Sequence, residues 1–146
     1  MKQFACLFTC ILFFQSQARI PISTKAKMIP IKIKLTIGAN TFTASLANNK
    51  TVHAFKSKLP FELKMIELNG NEKYTELDSP LPTNASNPGR ISIGDILLYG
   101  DQTLVVFYKS FSTPYSYSNI GKIDDVTGLA LALGSGNISV KFELVK

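Results

Sequence analysis

Residues 31–46 read IKIKLTIGANTFTASL, and the period of this stretch decides the fold class. Ile31, Ile33, Leu35 and Ile37 fall on one side of an extended chain, while Lys32, Lys34 and Thr36 fall on the other. That alternation belongs to a strand with one face on a core and one in water. Phe42, Ala44 and Leu46 repeat it in residues 40–46. Gly38-Ala39 stands between the two runs, and glycine takes positive φ without a Cβ penalty, so they are expected to form a hairpin. The pattern recurs in FELKMIEL (61–68), closed by Asn69-Gly70, in RISI (90–93), and in NISVKFEL (137–144). DILLY (95–99) and the almost entirely apolar TLVVFY (103–108) read as two further strands, separated by Gly100-Asp101.

Two stretches follow a helical period instead. TVHAFKSKL (51–59) spaces Val52, Phe55 and Leu59 along one stripe, with Asn49 or Thr51 as N-cap and Pro60 as the stop. DVTGLALALG (125–134) puts Asp125 at a capping position, Val126, Leu129, Ala130 and Leu133 on one stripe, and Gly134 past the end. Leu131 and Ala132 make its other face apolar too, which predicts deep burial. Many short strands and two short helices describe a mainly β protein, a closed β-barrel whose ends the helices cap. Its core should hold Ile33, Leu35, Phe42, Val105, Leu129, Val140 and Phe142. Closure of the sheet sets the first strand beside the last, with Lys32 or Lys34 near Glu143.

The chain begins differently. Lys2 precedes an apolar-rich run from Phe4 to Phe14, and Ser16-Gln17-Ala18 follows, the layout of a secretory signal peptide cleaved after Ala18. The run is about half of the roughly 20 apolar residues that a membrane-crossing helix needs. Residues 1–18 therefore read as a signal peptide, residues 19–30 as a flexible basic leader with two prolines, and residues 31–146 as one domain. The mature protein is expected outside the cytoplasm, periplasmic or extracellular, without an integral membrane span. Cleavage removes both cysteines, Cys6 and Cys10, so no thiol enters an oxidising compartment.

A formal charge of +6 raises the question of nucleic acid. Between Arg19 and Lys64 the only acid is Glu62, but the lysines of that half alternate with apolar residues or dot a helix, as a solvated face does. Arg19 and Arg90 are the only arginines. A nucleic-acid reader clusters arginines beside stacking rings, so no nucleic-acid partner is expected.

Five fragments occur in order along the domain: LNGNEKYTEL (68–77), LPTNASNPG (81–89), GDILLYG (94–100), FYKSFSTPYSYSNIGKIDD (107–125) and ALGSG (132–136). Together they resemble the bacterial cyclophilin-like proteins, within the cyclophilin-like fold superfamily. The resemblance implies a closed cyclophilin-like β-barrel of about eight strands with a helix at each end, and it carries no reaction with it. True cyclophilins isomerise the peptide bond before proline, using an arginine paired with a nearby phenylalanine, Met-Ile-Gln and Gly-Gly. Nothing here matches that signature. Arg90, the only arginine of the domain, follows the turn NASNPG, a different context, and reads as an exposed residue at a strand start.

Other chemistries have less support. His53 has no cysteine, histidine or acidic cluster at ligand spacing, so neither zinc nor another metal is expected, and no cofactor. The serines of 110–118 have no nearby base and no GxSxG elbow. Gly134-Ser135-Gly136 lacks the lysine and helix of a phosphate loop. Asp124 and Asp125 are adjacent and point apart, and capping accounts for them. No catalytic residue is assigned.

The residues that do suggest function lie in YKSFSTPYSYSNIGKIDD (108–125). Phe111, Tyr115 and Tyr117 offer flat apolar surface, Ser112 and Asn119 offer hydrogen bonds, and Pro114 stiffens the loop. Such a mixture at a barrel rim suits a small-molecule or peptide ligand. The competing reading has the rings fold back and staple a long connection. Asn84 and Asn87, with Arg90 beyond them, form a second rim candidate through side-chain turns. The functional expectation is an exported barrel that binds a small molecule or peptide at a rim groove. The alternatives are a divergent peptidyl-prolyl isomerase and a structural protein-interaction domain.

Overall fold

The computed structural model describes residues 29–146; the expected signal peptide and nearly all of the basic leader lie outside the described residues. The barrel is built from hairpins. β1 (Lys32–Ile37) and β2 (Asn40–Leu46) pair across Gly38-Ala39, with Gly38 at φ 57°. β3 (Phe61–Leu68) and β4 (Glu72–Glu76) pair across a turn in which Asn69 and Gly70 both have positive φ. β5 (Arg90–Ile91) and β8 (Phe111–Ser112) form a separate two-stranded flap. β6 (Asp95–Tyr99), β7 (Thr103–Phe107), β9 (Tyr117–Ile123) and β10 (Ile138–Leu144) complete the wall.

Eight antiparallel strands close in the order β1-β10-β3-β4-β7-β6-β9-β2. The first strand lies beside the last as expected, with Lys34 opposite Glu143 in register and 3.2 Å from it as an ion pair. α1 (Lys50–Ser57) starts at Asn49, whose side chain accepts from the Val52 amide. Its Phe55 packs on Phe61 and Phe142 at ring centroid distances of 5.4 and 6.3 Å, at the end of the barrel where β3 begins. α2 (Leu129–Leu133) leads into Gly134 and Gly136, which are bonded to the other end, near Glu67 and Lys73. No helix among the described residues is long and apolar enough to cross a membrane.

Ile33, Leu35, Leu129, Val140 and Phe142 are buried inside the barrel, and Phe42 is partly buried against them. Val105 is buried too, but on the outer face, because odd-numbered residues of β7 point outward. It belongs to a second apolar cluster with Ile91, Leu97, Phe107 and Tyr117. The β5–β8 flap covers this cluster, so one sector of the barrel has apolar packing on both faces.

Several elements depart from the sequence reading. RISI contributes only two strand residues, and β4 and β9 occupy stretches without clean alternation. On β4 the inward position is Lys73, which hides the apolar period. On β9 the register against β6 shifts between Ile96 and Leu97, a bulge that moves the inward positions out of phase. Gly121 lies there because a Cβ at this position would stand 2.4 Å from the Ser45 carbonyl oxygen across the β2–β9 pair. α2 is also shorter than its sequence pattern. It begins after Gly128, and Asp125 instead accepts the Thr127 amide at 2.9 Å. Leu129 and Leu133, four residues apart, face the barrel, and Leu131 on the opposite side is 88% exposed rather than buried.

Candidate functional site

The outward residues of β4, β6 and β7 make the floor of a groove. Tyr74 is opposite Val105 in register, Glu72 opposite Phe107, and Tyr99 opposite both Thr103 and Tyr117. After β7 the chain turns outward and returns across this floor as residues 111–117. Phe111 sits on Phe107 at 5.7 Å, and Tyr117 meets Phe107 edge-on at 5.9 Å and Tyr99 at 5.6 Å. These two rings do what the stapling reading requires. Tyr115 does not: its ring meets only the edge of Tyr99, at 5.9 Å, and is 57% exposed.

The backbone beneath Tyr115 is fixed from several directions. Its amide donates to Thr113 Oγ1 at 3.2 Å, the Pro114 carbonyl accepts from Asn87 Nδ2 at 3.0 Å, and the Tyr117 and Ser86 backbones exchange two bonds of 3.0 Å. Between this segment and the β3–β4 turn lies a groove of about 450 Å³. One wall is Ser112, Thr113, Pro114 and Tyr115; the other is Leu68, Asn69, Asn71 and Glu72; Tyr74, Tyr99, Thr103 and Val105 lie between. The groove thus starts at the rim and continues along the outer wall of the barrel.

Of the residues expected from sequence, Phe111, Ser112, Tyr115 and Tyr117 line this groove together. The remaining four do not line it. Asn119 is exposed on β9, and its backbone carbonyl accepts from Asn49 Nδ2 at 2.8 Å. Asn84 donates its amide to Ser118 Oγ at 2.8 Å. Asn87 makes the expected side-chain turn, accepting the Gly89 amide, and braces Pro114 from behind. Arg90 is exposed on β5, opposite Ser112 in register. Of the three asparagines, Asn87 is the one bonded to the groove wall, through the Pro114 carbonyl.

Glu72, Tyr74, Tyr99 and Asn71 are not evident in the sequence because they lie on β4, at the end of β6 and in a turn, with no spacing that ties them to residues 111–117. Burial, with the Glu67 charge adding to it, pushes the Glu72 carboxyl above the usual range. The Tyr117 hydroxyl is raised mainly by burial, against the hydrogen bond with Thr113. Asn71 Oδ1 is buried without a hydrogen-bond partner among the described residues.

A second polar cluster lies inside the barrel mouth under α2. Lys73, wholly buried, bonds Glu67 and donates to the Gly134 and Gly136 carbonyls at 2.8 and 2.7 Å. Its Nζ is 5.3 Å from the centroid of the Tyr108 ring, whose hydroxyl donates to Glu67 at 2.7 Å. Burial works to raise the Glu67 carboxyl, but the bonds from Lys73, Tyr108 and the Gly70 amide outweigh it and hold it below the usual value. Burial first and Glu67 second push the Tyr108 hydroxyl up to about 12. Every donor of Lys73 is used on the fold, so this amine is a structural tie.

Asp124 and Asp125 also diverge. Asp124 pairs with Lys32 at 2.7 Å and accepts from Ser45 Oγ at 2.6 Å, while Asp125 closes its own turn. Both line one open hollow with Thr41, Phe42, Thr43 and Thr127, but each carboxylate is already engaged within the fold.

The sequence profile of the cyclophilin-like family matches residues 35–143. The chain belongs to the cyclophilin-like family. The match spans the barrel from β1 to β10, including every groove residue. Among solved structures, the solution structure of a hypothetical protein from Archaeoglobus fulgidus superposes with a TM-score of 0.53, at 16% identity, over 83% of this chain and 99% of that one. At that identity the likeness is one of fold. Among curated proteins, none matches the chain significantly.

Proposed function

We propose that this cyclophilin-like protein is an exported binding module that takes a small molecule or a peptide segment in the groove beside residues 111–117. One observation carries the reading: Tyr115 holds an exposed ring on a backbone pinned from both sides. A staple needs rings turned inward, as Phe111 and Tyr117 are. A ring turned outward on a fixed backbone is instead a preorganised contact, with little conformational freedom left to lose on binding. The groove beside it has the volume of a small-ligand site and a mixed aromatic and polar lining. Export is supported by the sequence of residues 1–18 and by the lack of cysteine in the remainder of the chain.

A thermal-shift screen of small molecules and short peptides tests the binding claim. Hits should lose about 1–3 kcal/mol of binding free energy in Tyr115→Ala if the ring is a central contact. Equal binding by wild type and variant would contradict the reading. Isomerase activity is not part of it. Arg90, the only guanidinium of the domain, lies outside the groove lining. A protease-coupled proline-peptide assay should give background rates for both wild type and Arg90→Ala; acceleration that the substitution abolishes would restore the isomerase.

A further inference from the structure

We propose that the ligand presents a positive charge to this groove, an ammonium or guanidinium group held between the faces of its tyrosines and the Glu72 carboxylate. The inference rests on the groove being a binding site and adds the chemical class of what it binds.

The lining carries one acidic side chain and no lysine, arginine or histidine, on a protein whose formal charge is +6. Tyr74, two residues from Glu72 on the same outward face of β4, Tyr99 from β6 and Tyr115 from the returning segment surround the same space. Ring faces are electron-rich and attract cations, most strongly where water is partly excluded. The ion pairs among the described residues neutralise Asp124, Glu143, Glu67 and Asp95. Glu72 takes part in none of them, although it is half-buried. Its carboxyl is accordingly raised, by burial and by Glu67. An uncompensated acid in that position is relieved by a cation, is desolvated further by a neutral ligand, and repels an anion.

The charged group has two sources, a free organic cation or a lysine or arginine side chain of a peptide, and both present the same chemistry. Titration of the isotope-labelled protein, followed by amide resonances, separates them. The probes are choline, its neutral carbon isostere dimethylbutanol, N-acetyl-lysine methylamide, and the norleucine analogue. We expect choline or the lysine amide to shift resonances of Tyr74, Tyr99 and Tyr115, with affinity roughly tenfold above that of its neutral partner. Glu72→Gln should remove most of that preference. Should Glu72→Gln not fold, Tyr99→Leu serves instead, because it keeps apolar surface while removing a ring face. The stronger of the two cations identifies the source. Equal binding of each cation and its isostere, unaffected by Glu72→Gln, would overturn the charge inference and leave the groove standing. No shift in the groove with any probe would overturn both.

Discussion

Lys73 ties the α2 end of the barrel together, because one buried amine holds Glu67 on β3 and two carbonyls after α2. Replacing it with methionine keeps the stem and leaves Glu67 without its main partner. Breaking a buried pair on one side costs about 3–5 kcal/mol, so the urea midpoint of Lys73→Met at neutral pH should fall accordingly. The double variant with Glu67→Gln should recover part of the loss. A midpoint within experimental error of wild type would show that the amine is dispensable. The same cluster sets two pH limits. Glu67 is depressed below its usual 4.5, so its contribution is fully present above that value and is lost as pH falls through the lower folded value. Tyr108 is raised from 10.0 to about 12, so its contribution is complete below 10.0 and is lost as pH rises toward 12. Denaturant titrations across pH should show both declines in wild type. In Glu67→Gln the acidic decline should shrink.

Gly121 and Phe142 hold neighbouring elements in register and in contact. A Cβ at Gly121 would press on the Ser45 carbonyl and the Leu46 backbone, so Gly121→Ala must part β2 from β9. Overpacking of this kind costs about 1–3 kcal/mol, whereas Gly136→Ala, with nothing within 4 Å of the added methyl, should change thermal stability little. Phe142 lies in the ring cluster that joins α1 to the wall, and Phe142→Ala should cost about 3–5 kcal/mol in the same melts. A loss below about 1 kcal/mol would place that ring outside the core. These positions also show what the sequence made legible. β1, β2 and β10 alternate because their inward residues are apolar and their mutual ladders run without a register shift, so the closing β1–β10 pair was readable, down to Lys34 and Glu143. β4 was not, since its inward residue is a lysine paired from another strand. Nor was β9, since a bulge resets its phase. Of the eight residues expected from sequence, Phe111, Ser112, Tyr115 and Tyr117 line the groove. Glu72, Tyr74 and Tyr99 were not legible, because only the closed barrel brings them beside that loop.

At the scale of the whole molecule, a helix lies at each end of the barrel and apolar side chains fill its interior, so the proposed binding surface is an external one. The β5–β8 flap creates one by covering part of the outer wall and leaving the groove at its margin. The proposed export would put that groove outside the cytoplasm, and N-terminal sequencing of the native protein should then find Arg19 first. An intact Met1 on a cytoplasmic protein would end that part of the account. This outer groove is where the molecule is proposed to meet its ligand. The proposal is tested most directly by a crystal soaked with the strongest hit of the thermal-shift screen. The account predicts ligand density between Tyr115, Tyr99 and Glu72; a ligand bound elsewhere on the barrel, with the groove empty, would contradict it.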